Sequence, residues 1–311
     1  MKAVFLDTST LGNDVDLAPI ERVAGGIVKH GATTSAQVTE RIRGFDTVLL
    51  NKVVLTRKHF ENCPELKTIA VVATGLNNID LEAAREHGVR VLNVTNYGRS
   101  TVAQHTMALM LALATRLLDH NRDVRAGRWA QSDMFCLMDH PIIDLEGRTL
   151  GILGYGDLGQ GVAERAKAFG MNILLGARPG QPAGETDGYA RIPLDELLPQ
   201  VDVLSLHCLL TDETRNLIGA RELQMMKPDA LLINTSRGGL VDEEALAHAL
   251  RNGVIGGAGF DVLTEEPPKN GNPLLGDDIP NLIITPHSAW ASREARQRIV
   301  DITAQNLASI L

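Results

Sequence analysis

Gly151-Ile152-Leu153-Gly154-Tyr155-Gly156-Asp157-Leu158-Gly159 is the stretch that decides the fold. The apolar run 149–153 leads into it and reads as a buried strand. Beyond it, Leu158, Val162, Ala166 and Phe169 fall three or four residues apart and share one helical face. Strand, glycine turn and helix together are the context in which this spacing binds a dinucleotide. Gly154 permits the tight turn, Gly156 lets the backbone approach a pyrophosphate, and Gly159 lets the helix pack closely on the strand. The helix N-terminus adds unpaired N–H groups and positive partial charge for the phosphates. Glycines of a plain surface turn would give the same letters, but not the same flanks.

Working outward, strand-like runs alternate with helical patterns through almost the whole chain. A first set lies at 4–6, 48–50, 68–73 and 89–94. Between them, Thr34-Ser35-Ala36-Gln37 has capping-box spacing, and 78–87 reads as a helix ended by Gly88. A second set lies at 149–153, 171–175, 203–206, 230–234, 254–260 and 282–285. This is βαβ grammar and implies parallel sheets. Between the two sets a long helix is expected from a capping box at Thr101-Val102-Ala103-Gln104 to about Asp119, followed by a loop over 123–147. A last helix is expected over 292–311, returning to the first unit. The expected fold class is α/β with two doubly wound parallel-sheet domains, a Rossmann-type cofactor domain over 100–287 and a flavodoxin-like substrate domain over 1–99 and 288–311. The site is expected in the cleft between them.

Composition narrows the function. With 311 residues the chain can bury a large core, and 44% apolar with 22% charged residues is ordinary for a soluble globular protein. Thirty basic against 38 acidic residues give a net charge of −8 with no basic run, so nucleic acid is not an expected partner. Anionic substrates must then be captured by local positive groups. Cys63, Cys136 and Cys208 are widely spaced and form no metal-ligand pattern, which fits a reducing compartment. The N-terminus lacks a signal-peptide pattern and no run reaches membrane-spanning length, so a cytoplasmic protein with no membrane partner and no metal is expected.

The second strand of a dinucleotide unit usually ends in a carboxylate for the ribose 2′-hydroxyl, roughly 20 residues beyond the glycines. Here the strand ends in Arg178, and no carboxylate follows until Glu185. A guanidinium can bind a 2′-phosphate bidentately, so the residue favours NADPH, with NADH possible. A solvated Arg, with adenosine held by apolar walls, is the other reading.

Three further segments set polar groups at strand ends. Asn234-Thr235-Ser236-Arg237-Gly238-Gly239 follows a buried run, Asp261 follows 256–260 with Glu265-Glu266-Pro267 beyond it, and Pro286-His287 follows 282–285. Open α/β sheets place ligands at such strand ends. Taken singly, the Arg could satisfy a loop carbonyl, the acidic pair could be a solvated turn, and a lone His is more often structural than catalytic.

Taken together and in this order, the segments resemble the D-isomer-specific 2-hydroxyacid dehydrogenases. Thr74-Gly75-Leu76-Asn77-Asn78-Ile79-Asp80 and Ser100-Thr101-Val102-Ala103-Gln104-His105 extend the resemblance over essentially the full chain. It looks closest to the glycerate dehydrogenase/hydroxypyruvate reductase branch, and the motifs say little about the substrate. The resemblance implies that Arg237 clamps the substrate carboxylate and polarises its keto oxygen. His287 is then the proton donor and acceptor, and Glu266 pairs with it and favours its protonated form. A positioned imidazolium neutralises the charge that develops on oxygen when a 2-oxo acid accepts hydride, and a fixed guanidinium stabilises it. By the same resemblance Asp261 contacts the nicotinamide carboxamide. Thr74, Cys208, Thr235 and Ser236 contact the cofactor, and Tyr155, Asp157 and Leu158 line the pyrophosphate turn. Gly75 and Leu76 meet the substrate carboxylate through their backbone. Trp290 walls the substrate pocket or belongs to the core.

The expected reaction is hydride transfer between NAD(P)H and a small 2-oxo acid, most simply hydroxypyruvate or glyoxylate giving D-glycerate or glycolate. Other D-2-hydroxyacid dehydrogenases (D-lactate, phosphoglycerate), phosphite oxidation and a non-catalytic nucleotide-sensing co-repressor remain as alternatives. Formate oxidation needs no proton relay to an alcohol, so the Arg–Glu–His set argues against it. The regulatory C-terminal domain of some phosphoglycerate dehydrogenases is not expected, since the chain ends soon after the His. The helix after residue 101 and the irregular stretch beyond it resemble the region through which relatives dimerise, so a homodimer is expected.

Overall fold

The computed structural model describes residues 1–311. The chain divides into two compact units, Met1–Gly98 with Ala291–Leu311, and Arg99–Trp290. The second unit keeps Ser288, Ala289 and Trp290 because their backbone is tied to it. The Asp261 carboxylate accepts the N–H groups of Ser288 and Ala289, and the Thr101 hydroxyl donates to the Ala289 carbonyl.

The first unit holds strands β1 (Ala3–Phe5), β2 (Ile27–Lys29), β3 (Thr47–Leu50), β4 (Thr68–Val71) and β5 (Arg90–Leu92), all parallel in the order β2-β1-β3-β4-β5. This is the flavodoxin-type order, with its switch point between β1 and β3. Val4, Val48, Leu50, Ile69 and Val71 are fully or almost fully buried, lie on one face and join one apolar cluster. Each such side chain contributes roughly 1.5–3 kcal/mol on burial. The Thr34 capping box forms as its spacing implies, ahead of the helix Val38–Ile42. The expected helix at 78–87 is shorter, Leu81–Glu86, because the Asp80 carboxylate caps it by accepting the Ala83 N–H. The last helix, Arg293–Ala308, is capped by Ser292 and packs within this unit, with Arg296 paired to Asp14 and Asn306 donating to the Asn93 carbonyl.

The second unit holds β6 (Thr149–Leu153), β7 (Asn172–Ala177), β8 (Gly184–Thr186), β9 (Tyr189–Pro193), β10 (Val203–Leu206), β11 (Leu231–Asn234), β12 (Gly257–Phe260) and β13 (Leu282–Ile284). They form one sheet in the order β13-β12-β11-β10-β6-β7-β9-β8, parallel throughout except for the β8–β9 hairpin. Apart from the hairpin and the outer β13, this is Rossmann order, with the switch point between β6 and β10. The central strands β6, β10 and β11 are apolar on both faces, as in sheets covered by helices on each side. Leu232 joins one apolar cluster, while its neighbours Leu231 and Ile233 join the other.

The segment linking the two sets departs from expectation. Its helix is Arg99–Ala114, so Thr101 lies inside it and caps nothing. The chain then breaks at Arg116, which sits in the left-handed region at φ 52, and a second helix runs Leu117–Arg125. The expected loop therefore begins three residues later than 123, after Arg125, and includes a short 3-10 turn, Trp129–Gln131. No helix is long and apolar enough to cross a membrane.

Candidate active site

The glycine turn is built at the switch point of the second unit. Gly154 has φ +98, and a Cβ there would lie 2.5 Å from the Cys208 nitrogen and the His207 carbonyl carbon. The turn and the end of β10 thus touch through bare backbone. A Cβ on Gly159 would lie 2.3 Å from the Gly154 carbonyl oxygen, so the helix Asp157–Ala168 can start here only with glycine at that position. A Cβ on Gly156 would meet nothing within 4 Å. Gly156 is also the N-cap and supplies no capping side chain, so no cap residue occupies the first N–H groups of the helix. That is a cradle for an anion, and a dinucleotide pyrophosphate fits it.

Around the cradle, Asp157 is paired with Arg99 at 3.3 Å. Tyr155 turns toward protein and meets Tyr189 edge-on, ring centroids 5.7 Å apart. Leu158 is half-buried in the first turn of the helix. Arg178 is exposed just past β7, and its guanidinium forms no ion pair. Cys208 is buried, which pushes its thiol up and makes it inert, while its carbonyl accepts the Ser236 hydroxyl. The Thr235 hydroxyl is bonded to Thr106. The side-chain hydroxyls of Thr235 and Ser236 are therefore committed to protein partners.

His207, beside Gly154, keeps some exposed surface, but its Nδ1 is shielded and has no partner, while Nε2 bonds to Ser205. Burial lowers its pKa from 6.5 to about 4. Below the unfolded value the unfolded chain takes up a proton that the folded imidazole refuses, so stability falls as pH drops from 6.5 toward about 4. The loss amounts to about 3 kcal/mol at most. Thermal denaturation across this range should show wild type losing more stability than His207→Gln, which does not titrate. Parallel curves would remove His207 as the cause.

The three candidate catalytic residues all belong to the second unit. Arg237 follows β11, exposed and with its backbone extended at φ −146. The Asn234 amide holds its carbonyl, and its guanidinium bonds only to the Ser236 carbonyl, which leaves most of its donors free. A Cβ on Gly238 would lie 2.0 Å from the Leu263 carbonyl carbon, so the Arg237 loop rests directly on the backbone of the segment carrying Glu266. Glu266 accepts the Leu263 N–H through Oε1 and binds His287 Nδ1 through Oε2 at 2.5 Å. Burial pushes its carboxyl up. The bonds from His287 and Leu263, with the charges of His287 and Arg237, outweigh burial and hold it below the ordinary value. An ionised carboxylate only accepts, so Nδ1 carries the hydrogen, and the outward Nε2 makes no bond within the protein.

His287 sits at φ 51, a strained position for a residue with a Cβ. Its neighbours enforce it. Its N–H donates to the Asp261 carbonyl, and its own carbonyl accepts the Trp290 indole N–H at 2.9 Å. Trp290 is thus a brace for the His287 backbone. Asp261 is 1% exposed, and its carboxylate also accepts the Thr285 hydroxyl at 2.6 Å.

Thr74, Gly75 and Leu76 lie in the first unit, past the end of β4. The Thr74 hydroxyl donates to the Val94 carbonyl. Two residues that sequence reasoning missed shape this edge. Buried Asp7 accepts the N–H groups of Asn51, Lys52 and Val53 at the switch point, and Asn78 donates to the carbonyls of Asn51 and Val53. An acidic residue two positions past the end of β1 was the available signal.

These features define a nicotinamide-dependent oxidoreductase that works on 2-hydroxy and 2-oxo acids, and the chain belongs to the D-isomer specific 2-hydroxyacid dehydrogenase family. The family's NAD binding domain matches residues 107–289. The chain is 46% identical over 306 residues to the glycerate dehydrogenase of Methylorubrum extorquens, covering 98% of this chain and 95% of that one. It is 39% identical to the hydroxypyruvate reductase of Blautia hydrogenotrophica, covering 100% and 97%. Among solved structures it resembles the NADPH-dependent glyoxylate/hydroxypyruvate reductase of Sinorhizobium meliloti, with a TM-score of 0.82, 29% identity, and 99% and 94% coverage.

Proposed function

We propose that this chain reduces hydroxypyruvate or glyoxylate to D-glycerate or glycolate, with NADPH preferred to NADH. The observation that carries the reading is the Glu266–His287 bond of 2.5 Å, which fixes the imidazole tautomer and leaves Nε2 to serve the substrate. Arg237 holds the substrate carboxylate and polarises the neighbouring keto oxygen. A bound reduced nicotinamide supplies the hydride to C2. His287 Nε2 then gives its proton to the oxygen that becomes the alcohol, and Glu266 stabilises the imidazolium before transfer. In the reverse direction Nε2 takes that proton back. Gly154, Gly156, Gly159 and the first turn of the helix hold the pyrophosphate, and Thr74, Gly75 and Leu76 are kept in this reading as ligand contacts. The names of the relatives support this choice of acids, and the NADPH-dependent relative supports the choice of cofactor.

Arg178 binds the 2′-phosphate in this reading. Arg178→Ala should lower kcat/KM for NADPH about 10- to 100-fold and leave NADH within about twofold, the worth of one charge-assisted hydrogen-bonded pair. An unchanged ratio would make Arg178 a solvated surface residue. The whole reading is tested by kcat/KM for hydroxypyruvate, glyoxylate and pyruvate, each with NADPH and NADH. Hydroxypyruvate or glyoxylate should lead. A lead for pyruvate would move the chain to the D-lactate class, and cofactor binding without turnover of any acid would make it a nucleotide sensor.

We also place this chain in the cytoplasm as a homodimer. Leu117, Leu118, Val124, Trp129, Met134, Met138 and Ile142 are exposed, and Phe135 is 87% exposed. Apolar surface of this extent supports a partner-covered face. The three free thiols support a reducing compartment.

A further inference from the structure

The helix Arg99–Ala114 is buried on most of its surface, yet it carries Thr101, His105 and Thr106. Each of the three reaches a loop of the candidate site. Thr101 donates to the Ala289 carbonyl at 3.0 Å. Thr106 donates to the Val102 carbonyl of its own helix, which uses its one hydrogen, so at 3.0 Å it accepts the hydroxyl of Thr235, two residues before Arg237. His105 Nε2 lies 2.9 Å from the Thr285 hydroxyl, which in turn lies 2.6 Å from Asp261 Oδ1. Both Asp261 carboxylate oxygens already accept a backbone N–H, from Ser288 and Ala289, so Thr285 spends its hydrogen on Oδ1 and His105 Nε2 is the donor to Thr285. The geometry therefore puts a hydrogen on His105 Nε2 and sets the direction of the chain His105→Thr285→Asp261, with Nε2 also 3.5 Å from Asp261 Oδ1 itself. Asp261 is the group whose carboxylate grips the N–H groups of Ser288 and Ala289 and whose carbonyl grips that of His287.

We infer that His105 is a positioning residue for proton transfer, acting through Thr285 and Asp261 to hold the strained His287 backbone in its productive place. The inference rests on the assignment of His287 as the proton donor. Without the His105 donor, Thr285 and Asp261 lose one side of their anchorage, and the left-handed backbone at residue 287 loses a restraint that opposes its relaxation. A small displacement of the imidazole lowers the rate of the chemical step and leaves the carboxylate clamp at Arg237 in place. Asp261, in consequence, acts on the loop of His287 from the protein side, in addition to any contact with the cofactor.

The experiment compares His105→Ala, His105→Phe and His105→Gln with wild type in reduction of hydroxypyruvate, alongside His287→Ala. Gln can present a side-chain N–H near the position of Nε2, whereas Phe fills the volume with no donor. The expected result is a kcat about tenfold lower in the Ala and Phe variants, KM within about twofold, and recovery to within about threefold of wild type in the Gln variant. Phe decides the matter if Ala fails to fold. Wild-type kcat in the Phe variant, or equal losses in Phe and Gln, would overturn the positioning role. If His287→Ala itself turns over normally, the assignment of the proton donor fails instead, and the two failures are told apart.

Discussion

His287→Ala is expected to lower kcat for hydroxypyruvate about 10³-fold and to change KM by no more than about threefold. The reason lies in which atom is left free. Glu266 Oε2 engages Nδ1 at 2.5 Å, so the ring presents Nε2, and nothing in the protein competes for it. Hydride addition to C2 without a proton source leaves an alkoxide, and general acid catalysis by a positioned imidazolium is worth roughly 10²–10⁴ in rate. The substrate carboxylate is held elsewhere, by Arg237, so binding survives the substitution. Steady-state kinetics check both halves of the statement. Turnover within about threefold of wild type would remove His287 from the reaction.

Arg237→Ala is expected to do more than His287→Ala to binding and nearly as much to rate. KM for the acid should rise and kcat should fall together, with kcat/KM down by about 10³ or more, ~4 kcal/mol of transition-state stabilisation. Arg237 has one internal bond, to the Ser236 carbonyl, and no carboxylate partner, so its planar fork is available for an anion. Arg237→Lys keeps the charge and loses the fork, and it should recover part of KM but little of kcat. Packing should be unaffected, because the loop is held by Asn234 and by Gly238 against Leu263, not by the guanidinium. An Arg237→Ala enzyme with a near-normal KM would place the substrate carboxylate somewhere else.

The parts of the fold that were legible are those where burial dictates composition. β6, β10 and β11 are covered on both faces and so are written in Leu, Ile and Val, and their runs stood out. β2 was missed because it is three residues at a sheet edge, half-buried or exposed, and carries almost no pattern. The β8–β9 hairpin is likewise short, polar and at the edge. The break at Arg116 carries no Gly or Pro to announce it. The capping box read at Thr101 failed because the same Thr and Gln spacing occurs inside a helix whose hydroxyl is needed by Ala289.

At the site, residue types could be named and contacts could not. Glu266 and His287 stand 21 positions apart, and no periodicity joins them; only family motifs did. The cradle of Gly154, Gly156 and Gly159 was legible because its demands are local. The bracing of His287 by Asp261 and Trp290, and the role of Asp7, were not legible. Each depends on a side chain reaching backbone that the fold brings near from elsewhere.

A double-mutant cycle on Glu266 and His287 tests the central claim most directly, namely that the two act as one unit in proton transfer. Glu266→Gln, His287→Ala and the double variant are compared in kcat for the same acid and cofactor. If Glu266 works through the imidazole, the double variant turns over at the rate of His287→Ala alone, because the carboxylate has nothing left to act on. If the two losses multiply, Glu266 contributes independently of the imidazole, and the pair does not act as one unit in proton transfer.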